Sequence, residues 1–121
     1  MKVTLITIHV SEMQESLKFY QNILGMEIIN EIHPNENMRI VFLKGEGEVK
    51  IELIEDKSIT QLDKFSSPVS MGIFIDDMNE ILQMLKEKKV PVKRGPISVP
   101  SGSKLLFIED PNGVEVEFIE E

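Results

Sequence analysis

At 121 residues with 41% hydrophobic content, the chain is long enough to build one ordinary core. Its 21 acidic against 13 basic residues leave a formal charge of −8, which opposes binding to phosphate backbones and excludes nucleic acid as a partner. No cysteine is present, so disulfides, thiolate nucleophiles and thiolate-held metals are excluded, and no apolar run reaches membrane-spanning length.

Residues 2–10 alternate, with Leu5, Thr7 and His9 on one face and Ile6, Ile8 and Val10 on the other, which predicts a strand. Nothing before it resembles a signal peptide, so a cytoplasmic protein is expected. Ser11 followed by Gln14 reads as a capping box, and Met13, Leu17, Tyr20 and Leu24 recur at helical spacing before Gly25, which predicts a helix over 12–24. Strands are expected over 26–32, 38–44 and 49–55, separated by the turns at 34–37 and 45–47.

Residues 57–68 are polar apart from Ile59, Leu62 and Phe65 and read as a connector with one short helix. From Val69 the pattern begins again. A strand leads to a helix capped by Asp76 or Asp77 and carrying Met78, Ile81, Leu82 and Leu85, with Lys86 to Lys89 near its end. Pro91, Gly95, Pro96 and Pro100 confine the next segment to a short strand and a loop. Asp110-Pro111-Asn112-Gly113 then turns one long strand into another.

The recurrence is a duplication. Residues 39–55 and 104–120 align without a gap at a shift of 65, with five identities: Phe42 and Phe107, Val49 and Val114, Glu52 and Glu117, Ile54 and Ile119, Glu55 and Glu120. The chain is thus expected to be α+β, two βαβββ modules over 1–56 and 69–121 joined by the 57–68 connector into one structural domain. In each module Ile6, Ile8, Val10, Ile51 and Leu53, or their repeats, face the helix, while the other sheet face is mixed. Two such sheets side by side would enclose a cleft.

These residues carry a family resemblance. HVSEMQESLKFYQNILGMEII near the start, the Glu of IEL, FIDDMNEI opening the second half and EDPNGVEVEFIE at the end resemble the vicinal oxygen chelate superfamily of glyoxalase I, bleomycin-resistance proteins and extradiol dioxygenases. The resemblance implies that fold, a small-molecule site and, in the enzymes, a divalent metal held by one residue from the first and one from the last strand of each module. Carried over, these positions fall on Leu5, Glu52, Ser70 and Glu117. Two are usually His, yet leucine has no lone pair and serine is a poor ligand for nickel, zinc, iron or manganese. No cofactor is therefore expected, the alternative being a hard divalent cation held by Glu52 and Glu117 with waters.

His9 lies roughly 13 Å along the strand from Leu5, too far to substitute for a ligand there, and reads as a rim or surface histidine. His33 sits in a turn. Glu52 and Glu117 are either wetted face residues or the polar pair of the site, as binding groups or as candidate catalytic acids. Phe74, the repeat of His9, is placed to stack on a planar ligand. Leu5, Thr7, His9, Glu52, Ser70, Phe74 and Glu117 are thus the expected cleft lining, and Arg39, Lys93, Arg94 and Lys104 the cations available to an anionic ligand group. The expected function is binding of a small molecule, a cationic one being compatible with the acidic surface, by a homodimer of the bleomycin-resistance type. Its rivals are a metal-dependent glyoxalase-like lyase or isomerase and a non-catalytic accessory module.

Overall fold

The computed structural model describes residues 1–59 and 67–121, and the chain divides into two compact units, Met1–Lys64 and Phe65–Glu121. The short helix expected in the connector lies outside the described residues. The first unit contains β1 (Leu5–His9), α1 (Met13–Leu17), β2 (Glu27–Ile32), β3 (Met38–Lys44) and β4 (Lys50–Asp56); the second contains β5 (Ser70–Ile75), α2 (Met78–Glu87), β6 (Arg94–Ser98), β7 (Lys104–Glu109) and β8 (Glu115–Glu120). Each is a four-stranded mixed sheet, ordered β1-β4-β3-β2 and β5-β8-β7-β6, in which the outer first strand runs parallel to the last and the remaining pairs are antiparallel. The fold is α+β and duplicated.

Apolar residues of one parity make the core of each unit. Ile8, Val10, Ile51, Leu53, Val41 and Leu43 are buried in the first, together with Met13, Leu17 and Tyr20 from the helical segment. In the second, Leu106, Ile108, Val116 and Phe118 are buried with Met78 and Leu85 of α2. A helix lying over one sheet face removes that face from water and leaves the other open.

The helical segment of the first unit departs from the expected single helix over 12–24. Five residues are α-helical, and Lys18–Ile23 then winds as a π-helix, closed by the Leu24 N–H donating to the Phe19 carbonyl at 3.1 Å. The wider turn seats two adjacent rings, Phe19 and Tyr20, in the core in an edge-to-face pair with centroids 5.1 Å apart. Ser11 is not the cap. Glu12 is, its carboxylate accepting from the Gln14 N–H at 3.3 Å. Asp77 caps α2 as expected, accepting from Asn79 and Glu80.

The duplication reaches into these helix starts. Met13 N–H donates to Glu55 Oε2 at 2.8 Å, and 65 residues on, Met78 N–H donates to Glu120 Oε2 at 2.5 Å. The last strand of each sheet thus supplies a carboxylate to the first turn of its helix, satisfying a backbone donor that the helix itself leaves open. The Asp110-Pro111-Asn112-Gly113 turn forms as expected. Buried Asp110 accepts from the Asn112 and Val114 N–H groups at 2.8 Å each, and Gly113 takes the positive φ of 92°.

Candidate functional site

Glu52 is set by β4, a strand whose alternate residues Ile51 and Leu53 are locked in the core, so its side chain stands on the open face. Parallel pairing with β1 puts it in register with Thr7, whose hydroxyl donates to Glu52 Oε1 at 2.6 Å. On the other side its antiparallel partner is Phe42, which in turn is paired with Asn30 of β2. The open face of the first sheet therefore carries a row of Thr7, Glu52, Phe42 and Asn30, polar but for the one ring. An apolar row of Ile54, Ile40 and Ile32 lies beside it, begun by His9.

The second sheet repeats this layout with different neighbours. Glu117 of β8 lies between Gly72 of β5 and Phe107 of β7, and Phe107 pairs with Arg94 of β6. The row beside it is Phe74, Ile119, Leu105 and Ile97, with Phe74 70% exposed. Phe74 also lines an open hollow of about 360 Å³ with Ile75, Asp76, Glu120 and Glu121. Glu52 and Glu117 are half-buried on their respective faces.

Leu5 is 44% exposed and is paired with Lys50, not with Glu52; Ser70 is exposed and is paired with Glu115, not with Glu117. Register thus sets each first-strand position two residue pairs away, on the same face, from the carboxylate that the resemblance joins it to. His9 is exposed at the end of β1. His33 is engaged elsewhere, its Nε2 lying 2.8 Å from Glu31 Oε2.

These residues do not fit a metal centre. Leu5 offers no donor and Ser70 only a neutral hydroxyl, while Glu52 is already engaged by Thr7. Among the described residues no group of three or more His, Cys, Asp or Glu side chains gathers in a way that could hold an ion.

The cations expected to serve an anionic ligand are committed to the protein's own carboxylates. Arg39 binds Glu31 through Nε and a terminal nitrogen at 3.0 and 3.2 Å, and this forked contact holds the Glu31 carboxyl below its ordinary value, with the His33 contact adding to it. Lys93 and Arg94 both reach Glu115, at 3.1 and 3.2 Å, and the Arg94 guanidinium also lies 4.0 Å from the centroid of the Phe107 ring. Lys104 stands 3.8 Å from Glu120. A second hollow in the first unit, about 270 Å³, is lined by Glu12, His33, Arg39, Glu55 and Lys57 among others and contains none of the residues singled out for the cleft lining.

Residues 2–118 match the family model described as Glyoxalase/Bleomycin resistance protein/Dioxygenase superfamily. A lactoylglutathione lyase of Haemophilus influenzae is 29% identical over 118 residues, covering 93% of this chain and 87% of the relative. A probable chloroplastic lactoylglutathione lyase of Arabidopsis thaliana is 30% identical over 116 residues, covering 92% of this chain but 33% of the plant protein. A superfamily member from Sphaerobacter thermophilus superposes with a TM-score of 0.81 at 25% identity, covering 100% of this chain and 98% of its own. An antibiotic-binding protein from Streptomyces superposes with a TM-score of 0.76 over 99% of this chain and 95% of its own, and at 19% identity it shares the fold. No helix among the described residues is long and apolar enough to cross a membrane.

Proposed function

The chain belongs to the Glyoxalase/Bleomycin resistance protein/Dioxygenase superfamily, and from that premise we propose that it binds a small organic molecule without the catalytic metal of the superfamily's enzymes. The observation that carries this reading is the Thr7 to Glu52 hydrogen bond of 2.6 Å beside an apolar Leu5. A carboxylate that would face an ion is engaged instead by a neutral hydroxyl. Sequestration requires affinity only, so a site of this kind is functional as it stands.

The faces favour a ligand with an apolar body and a hydrogen-bond-donating head, a protonated amine above all. Each open face sets a carboxylate, Glu52 or Glu117, beside a row of isoleucine, leucine or phenylalanine side chains, which suits a site with an apolar wall and a few polar groups. Candidate contacts lie on each face taken by itself: Leu5 and His9 on that of the first unit, where Thr7 already occupies Glu52, and Ser70, Phe74 and Glu117 on that of the second. The acidic net charge of −8 favours the approach of a cation. We place the protein in the cytoplasm, and by resemblance to the family expect a homodimer, which sedimentation velocity would test.

The rival reading, a metal-dependent lyase, is favoured by the relatives that carry the name lactoylglutathione lyase. Metal analysis of protein purified without chelator separates the two. Nickel, zinc, iron and manganese far below one per chain is the expected result, and a thermal-shift screen of apolar amines should find ligands that add about 2.7 kcal/mol at a hundred times their dissociation constant. One equivalent of metal, lost in Glu52→Gln, would overturn the proposal.

A further inference from the structure

The two open faces share one layout, and one of the places where they differ is beside their carboxylates. Glu52 is in register with Thr7, and the hydroxyl occupies Oε1 at 2.6 Å, inside the short range of a charge-assisted O–H···O⁻ bond. Sixty-five residues on, the repeat of Thr7 is Gly72, in register with Glu117. Glycine has no side chain to donate, and among the described residues no hydrogen bond to the Glu117 carboxylate is formed. On its opposite side Glu117 is walled by Phe107, only 8% exposed, with the Arg94 guanidinium over the ring and tied to Glu115. The bare backbone of Gly72 is therefore the open side of Glu117.

Resting on the reading that an apolar amine is bound, the structure assigns the two carboxylates different roles. Glu117 receives the head group, which enters over Gly72, while Thr7 is a positioning residue that closes Glu52 and fixes its orientation. Two residues along β5 from Gly72, on the same face and roughly 7 Å away at about 3.3 Å per residue, stands the exposed ring of Phe74. That spacing suits an ammonium joined to an aromatic ring by a two-carbon tether, with the ligand lying along β5. The Phe74 face then contributes stacking and Glu117 the charge-assisted hydrogen bond. Specificity for this shape comes from Gly72, since any side chain there would stand where the head group passes.

Isothermal titration of the full chain with 2-phenylethylammonium at low ionic strength tests this. Wild type should bind one equivalent, Glu117→Gln should lose at least about tenfold in affinity, the scale of one charge-assisted hydrogen bond, and Glu52→Gln should lose less than about threefold. Gly72→Thr should fold, because its Cβ meets only the Ile119 Cδ1 at 3.4 Å and the backbone there is not in the left-handed region; it should weaken binding about as much as Glu117→Gln. Thr7→Val should open a second, weaker event at Glu52, and Thr7→Ser should not.

Equal losses in Glu52→Gln and Glu117→Gln, or a Gly72→Thr protein that keeps its melting temperature and binds like wild type, would overturn the assignment while leaving small-molecule binding intact. A second event in Thr7→Ser equal to that in Thr7→Val would do the same. Failure of wild type to bind this probe and every other apolar amine would instead remove the ligand class itself.

Discussion

Glu120→Ala removes the acceptor of the Met78 N–H at the start of α2. Met78 is only 2% exposed, so the donor it leaves behind is poorly placed to find water. An unsatisfied buried backbone donor costs about 1–3 kcal/mol, and the lost negative charge at a helix N-terminus adds about 0.3–1 kcal/mol. Because Glu120 is itself half-buried, so that some water can enter, the lower half of that range applies, about 2 kcal/mol. The Lys104 contact at 3.8 Å contributes little, as exposed ion pairs do. With an unfolding entropy of about 2.1 cal/mol/K per residue, 121 residues give about 0.25 kcal/mol/K, and the melting temperature should fall by about 8 °C.

Differential scanning calorimetry reads the shift, and hydrogen exchange at Met78 locates it. Glu120→Gln, which keeps an acceptor oxygen, should recover more than half of the loss. Glu55→Ala should behave as Glu120→Ala does, since Met13 N–H meets Glu55 in the same geometry. Glu117→Gln, three residues away on the other sheet face, should shift the melting temperature by less than about 2 °C, as open-face substitutions do. Equal shifts in Glu117→Gln and Glu120→Ala, or none in either, would refute the division of labour between the two faces.

The Arg39 contact holds Glu31 below its ordinary value of 4.5, so its stabilisation is fully present above that pH and is lost as pH falls through the lower folded-state value. The urea midpoint gap between wild type and Glu31→Gln should accordingly close on acidification below 4.5; a gap independent of pH would rule out the linkage. Asp110→Ala strips the acceptor from two N–H groups at a position 1% exposed and should cost about 2–4 kcal/mol in chemical denaturation, with Asp110→Asn losing less. Gly113→Ala, at φ 92°, should cost about 1–2 kcal/mol more than alanine in an ordinary strand position, and a neutral result would show that the turn relaxes.

Strand positions and face parity were legible because each sheet is half covered, so burial imposes a period of two that Ile6, Ile8 and Val10, or Val116 and Phe118, write directly into the chain. The 65-residue shift made the second unit readable from the first. What escaped was set by contacts distant along the chain or by backbone winding. Met13, Leu17, Tyr20 and Leu24 have α-helical spacing, and nothing local records that the second half widens to seat Phe19 beside Tyr20. Glu55 and Glu120 were visible as repeated acids but not as caps, since their partners lie 42 residues away. Likewise Thr7 and Glu52 were placed on one face by parity, while the hydrogen bond between them depends on the parallel register of β1 with β4, which no short stretch specifies. The basic side chains looked available because their carboxylate partners, such as Glu115 for Lys93, are 22 residues off.

The last strand of each unit carries a pair of glutamates three positions apart, Glu52 and Glu55 or Glu117 and Glu120, an odd spacing that turns one toward the helix and the other toward the open face. Such a strand works as a partition. Substitutions on the open side can therefore be made without loosening the anchor on the other, and a gene that doubles this arrangement acquires two faces, each adjustable by itself.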